Sequence, residues 1–188
     1  GVQQRTGCKI LLAQKAFSMY RCYPLIRQYL AGSTASGLYE ARLGREEFGG
    51  EVHVFKPAYT EAEFEALLEV ADHFVFNSPR QVEKYAARAR AAGKQVGLRV
   101  NPEHSTQEGH AIYDPCAPGS RLGTTLANFD PDQLPLLDGL HMHTLCEQDS
   151  DDLESTVQAL EAKFGTYLHG LKWLNLGGGH HITRPGYD

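Results

Sequence analysis

Short apolar runs alternate with helical patterns along this chain, roughly every 20–25 residues, and that alternation narrows the fold more than any motif. Seven runs read as strands, at residues 8–17, 33–36, 51–57, 73–77, 95–101, 137–143 and 171–176. Runs such as HFVFN and VGLRV are apolar nearly throughout, as in parallel strands covered on both faces. The intervening segments carry helix signals. Thr60-Glu61-Ala62-Glu63 reads as a capping box, with Phe64, Leu67, Leu68 and Ala71 following on one face. Ser78-Pro79 opens a second helix that Gly93 ends, Asp130-Pro131 opens a shorter one, and apolar spacing at Leu153, Val157, Leu160 and Phe164 marks one over 152–168.

Such a chain is α/β, either a barrel or a doubly wound sheet, and in both its chemistry gathers at the carboxyl ends of the strands. Lys15, Ser36, Asn101, His143 and Gly177–Gly179 fall at those ends. The triple glycine follows the seventh run, and barrels frequently bind phosphate after strands seven and eight. The expectation is therefore a partial (β/α)8 TIM-like barrel with seven of eight strands, forming one domain over residues 1–188. The chain begins GVQQ without methionine and stops at Pro185-Gly186-Tyr187-Asp188, so it is expected to be incomplete at both ends.

Bulk properties exclude several classes. The net charge of −5, with basic residues scattered, argues against nucleic acid. No apolar run reaches the roughly 20 residues a membrane span requires. Four cysteines, Cys8, Cys22, Cys116 and Cys146, show no CxxC pairing or regular spacing. They read as free thiols in a reducing compartment, so a cytoplasmic protein is expected.

The residues at the strand ends admit bland and functional readings. Lys15 sits among Leu11, Leu12, Ala13, Ala16 and Phe17; apolar enclosure would make its amine a nucleophile. Gly177–Gly179 is either a flexible turn or a set of bare amides for a phosphate. A lysine at one strand tip and glycine amides at another fit a carbonyl cofactor anchored by its phosphate. His141 and His143 share a strand face and are open to three readings: core imidazoles, a metal pair as in barrel hydrolases, or a ring stacked on a flat cofactor. Arg99 is an interior ion pair or orients a cofactor contact. Asp151 and Asp152 complement a helix dipole, whereas Glu147 lies nearer the strand end and could meet a substrate ammonium.

The segments LLAQKAF, STASGLYEARLGREEFGGEVH, GLRVNP, SRLG, HMHTLCE and LNLGGGHHITRPGYD together resemble the fold-type III pyridoxal phosphate (PLP) decarboxylases with alanine-racemase-like barrels, specifically the carboxynorspermidine (carboxyspermidine) decarboxylase family. The resemblance spans essentially the whole chain. It implies that Lys15 binds PLP as an imine, that His143 stacks on the pyridine ring, and that Gly177, Gly178 and Gly179 bind the phosphate. Arg99 and Ser36 would complete the cofactor shell, with Glu40 less securely placed. It further implies a polyamine substrate, no metal, a homodimer, and an eighth strand and β-rich domain that do not occur in this chain. Residues 1–188 alone are expected to release no CO₂. The alternatives are a PLP-binding barrel without catalysis and a metal-dependent barrel hydrolase using His141 and His143.

Overall fold

The computed structural model describes residues 1–108 and 111–187, so Asp188, which closes the TRPGYD phrase, lies outside the described residues. The chain packs as two compact units, residues 1–75 with 88–95, and residues 76–87 with 96–188.

The first unit holds α1 (Val2–Thr6), β1 (Leu11–Ala13), α2 (Tyr23–Ile26), β2 (Gly32–Ala35), α3 (Leu38–Leu43), β3 (Glu51–Phe55), α4 (Glu61–Leu68) and the start of β4 (His73–Phe76). β1 to β4 pair in chain order, all parallel, with Leu12 opposite Ser33, Ser33 opposite Val52 and Val54 opposite Phe74. Alternation sends Val52, Val54 and Phe74 to the helix side, where each is fully buried. Phe64 of α4 packs on Phe74 with ring centroids 5.4 Å apart, and Tyr23 meets Phe48 edge-on at the same separation. α3 continues into a π-helical turn, Gly44–Phe48. There a Cβ on Gly44 would overlap the Ser33 hydroxyl and crowd the Gln14 amide, so both side chains would have to shift.

α5 (Pro79–Ala91) begins in the second unit and ends in the first. The second unit also holds β5 (Gln95–Arg99), β6 (Gly139–His141), α6 (Ser150–Leu168) and β7 (Trp173–Asn175), whose strands again pair in parallel and in chain order. Gly97, Gly139 and Trp173 share one register row. The indole lies over both glycines, and a methyl group at either would overlap it. On the opposite face Val96, Leu98, Leu140, Leu160 and Phe164 form the core.

The same device starts β4 and β6. Asp72 Oδ2 accepts from the Val52 N–H (2.8 Å) and from Arg45 (2.6 Å). Asp138 accepts from the Val96 N–H (2.9 Å) and from Lys172 (2.7 Å). Each carboxylate ties one strand to its predecessor and meets a cation, which makes a charge tolerable beside the sheet.

Two helix starts differ from the sequence reading. Thr60 caps α4 by accepting from the Glu63 N–H (3.3 Å), but the Glu63 carboxylate pairs with Lys56 instead of completing the box. α6 starts at Ser150, and Asp149 caps it, accepting from the Asp151 and Asp152 amides. Asp151 and Asp152 are thus first-turn charges on a helix dipole. Every strand ends before the residue at which its apolar run ended. The ladders stop where the loops diverge, which leaves Lys15, Ser36, Asn101 and His143 just beyond them.

Candidate active site

In the first unit, β1 gives way to a turn in which the Ala13 carbonyl accepts from the Ala16 and Phe17 amides. Lys15 sits in that turn and is exposed, as are Ala13, Ala16 and Phe17. The expected apolar enclosure of Lys15 is therefore not formed by these neighbours, because the three-residue strand ends before they can be packed. What fixes the turn is Gln14, only 2% exposed. Its Nε2 donates to the Glu40 carbonyl (2.8 Å), and its Oε1 accepts from the Tyr23 hydroxyl (3.3 Å). Glu40 in turn accepts the Ser36 N–H at 2.7 Å through its carboxylate. Glu40 thereby caps the start of α3, and Ser36 is left exposed at the tip of β2. Gln14 joins the two strand ends that carry Lys15 and Ser36.

In the second unit, a register row places Arg99, His141 and Asn175 side by side across β5, β6 and β7. Arg99 is buried, which pulls its guanidinium pKa down to about 10, with Cys116 opposing the shift slightly. Its Nη2 donates to the His143 carbonyl at 3.1 Å, holding the loop that follows β6. The loop Arg121–Thr124 covers the end of β5, where the Thr124 N–H donates to the Arg99 carbonyl (2.8 Å). Asn77 pins that loop by donating to the Arg121 carbonyl and accepting from the Gly123 N–H, both at 2.8 Å.

The glycine loop packs against His143. Gly177 and Gly179 have φ of 75° and 97°. A Cβ on Gly177 would press on the Met142 carbonyl and the His143 ring, and one on Gly179 would overlap the Leu145 carbonyl. Two of the three amides expected to be open are engaged. The Gly177 N–H donates to Asn175 Oδ1 (2.8 Å) and the Gly178 N–H to His143 Nδ1 (3.2 Å). Among the described residues, the Gly179 N–H has no partner. Because Nδ1 of His143 accepts, the neutral ring carries its proton on Nε2.

Glu147 lies at the tip of the loop after β6, exposed, with a left-handed φ of 57°. Among the described residues, no hydrogen bond or ion pair joins it to the Arg99–His143–glycine group. Gln148 organises this loop, accepting from the Cys146 N–H (3.2 Å) and from Gln107 (2.6 Å). His141 and His143 do not join a set of convergent ligand atoms; the one such set among the described residues is Glu51, His53 and His73.

No model of a protein family matches the chain. It is 42% identical over 187 residues to the carboxyaminopropylagmatine decarboxylase of Synechocystis sp., and 38% identical to the carboxynorspermidine/carboxyspermidine decarboxylase of Campylobacter jejuni. Each comparison covers all of this chain and 48% of the relative. A crystal structure of carboxynorspermidine decarboxylase complexed with norspermidine from Campylobacter jejuni superposes over the whole chain with a TM-score of 0.87 at 37% identity. The chain is similar along its whole length to carboxynorspermidine/carboxyspermidine decarboxylases. Its fold is accordingly a partial TIM-like barrel, seven parallel strands with their helices. A diaminopimelate decarboxylase from Helicobacter pylori shares that fold at 14% identity with a TM-score of 0.72. The chain spans about half the length of the curated relatives it matches. No helix among the described residues is long and apolar enough to cross a membrane.

Proposed function

We propose that these residues belong to a PLP-dependent carboxy-lyase acting on carboxynorspermidine or carboxyspermidine in polyamine synthesis. The observation that carries this reading is the packing of Arg99, His143 and Gly177–Gly179 at adjacent strand ends in a chain 37–42% identical to decarboxylases throughout. Residues of each unit, taken separately, fit a phosphorylated aldehyde. Gly179 offers an open N–H on a loop that excludes side chains, and Lys15 offers an amine that no hydrogen bond or ion pair engages among the described residues. When bound, PLP would supply the electron sink that lets an α-carboxylate leave.

The residues divide the work. Lys15 is the nucleophile that holds the cofactor, and Gln14 fixes the turn that carries it. Arg99 holds the His143 backbone, and the Gly178 N–H orients the His143 ring for stacking on the cofactor. Gly179 would donate to the phosphate, and Gly177 would join it when Asn175 turns aside. Glu147 meets a cationic amine of the substrate from the loop tip. In this reading residues 1–188 are one barrel domain of a cytoplasmic homodimer.

The 42% identity to a carboxyaminopropylagmatine decarboxylase favours a second reading, in which the same amino-acid end carries a guanidino tail. CO₂ release from carboxynorspermidine, carboxyspermidine and carboxyaminopropylagmatine, measured on the enzyme containing this chain, separates the two. Lys15→Ala should lower the preferred rate by at least about 10³-fold. Undiminished turnover in that variant would refute the assignment.

A further inference from the structure

One cluster of side chains has no part in that reaction. In the parallel pairing of β3 with β4, His53 stands opposite His73. Glu51, two residues before His53 on β3, projects from the same face. The two imidazoles stack with centroids 3.8 Å apart and planes 6° from parallel, so one ring must turn about its Cβ–Cγ bond to bring both in-plane lone pairs onto one ion. His53 Nε2 lies 3.0 Å from Glu51 Oε2. One ligand atom from each of the three residues lies within 4.8 Å of the other two. His53 Nδ1 is buried without a hydrogen-bond partner. A buried imidazole nitrogen left without a partner costs free energy unless something else occupies it.

We propose that Glu51, His53 and His73 bind a divalent transition-metal ion of the zinc class. Two imidazoles and one carboxylate are a common three-ligand set for such an ion, with water filling the remaining positions. The protonation states suit it. Burial keeps both imidazoles neutral, pulling His73 down to about 4 with help from His53. Desolvation would raise the Glu51 carboxyl, but Lys9 and His53 outweigh it and hold it below the ordinary range. The His53 and Glu51 side chains are 13% and 30% exposed, so an ion can enter from solvent. Lys9, 65% exposed, now neutralises Glu51 and is free to swing away when a metal supplies the positive charge.

Glu51 and His73 are the first residues of β3 and β4, whereas Lys15 and Ser36 follow the last residues of β1 and β2. The ion would therefore clamp two strands at their amino ends and take no part in the decarboxylation.

Metal-free protein titrated with Co²⁺ alone should develop visible d–d absorption that saturates at about one ion per chain. Calorimetry with Zn²⁺ should give the same stoichiometry. His53→Gln and His73→Gln should each weaken binding by at least about tenfold. Glu51→Gln should weaken it too, while His169→Gln, at an exposed helix end, should not. Wild-type protein that shows no saturable one-to-one absorption would overturn the proposal, however the variants fold. So would thiolate-to-cobalt charge transfer at that stoichiometry, since it would assign the ion to the cysteines. Affinity unchanged in folded His73→Gln would overturn it as well.

Discussion

The residue that positions the proposed nucleophile is its buried neighbour. Gln14 spends both ends of its amide on Tyr23 and Glu40, and thereby ties the Lys15 turn to the start of α3. Gln14→Leu would leave the Tyr23 hydroxyl without its partner in a closed space and take one of two donors from the Glu40 carbonyl, which keeps the Gly44 N–H. It should lower stability by about 1–3 kcal/mol in urea melts and slow labelling of Lys15 by PLP at equal cofactor. Labelling at the wild-type rate would show that the turn holds without Gln14. Lys15, Arg99, His143 and the glycines stand out in the sequence as candidates because each lies at or near the end of an apolar run. Gln14 was not, since between Ala13 and Lys15 it looks like any polar residue beyond a strand. Asn175 did leave a signal. An asparagine two residues before a glycine with positive φ reads as a side chain folded onto that glycine's amide.

Elements were legible where their local signals agree. All seven strands were found, because parallel strands buried on both faces write continuous apolar runs. Their carboxyl ends were overextended, since loops that leave a sheet keep its composition for a residue or two. α4, α5 and α6 announced themselves through Thr60, Pro79 and periodic apolar positions. α3 did not: its cap is glycine, and the stabilising contact is Glu40 reaching back to the Ser36 amide, a link that only the folded turn reveals. The β3–β4 pair carries a pH dependence of its own. His73 faces His53, Glu51, Asp72 and Lys9, and burial lowers it from an ordinary 6.5 to about 4. Unfolded chains take up a proton below roughly pH 6.5, and the folded chain does so only near pH 4. Stability of the metal-free protein should therefore be level above pH 6.5 and fall toward pH 4, by at most about 1.4 kcal/mol per unit from this residue. Denaturant melts across that range should show the fall, and His73→Phe should reduce it. An equal slope in the variant would place the titration elsewhere.

At the scale of the whole molecule, the two compact units carry different parts of the proposed machinery. The first holds the Lys15 amine and the Ser36 strand tip; the second holds Arg99, His143 and the glycine loop. Neither part is diagnostic alone, and the similarity to decarboxylases runs through both, over 187 residues. The proposed chemistry requires a covalent bond between PLP and Lys15. Incubation with PLP, borohydride reduction and peptide mapping by mass spectrometry should yield a single phosphopyridoxyl label within LLAQKAF, absent from Lys15→Ala. A label on any other lysine that persists in Lys15→Ala would contradict it.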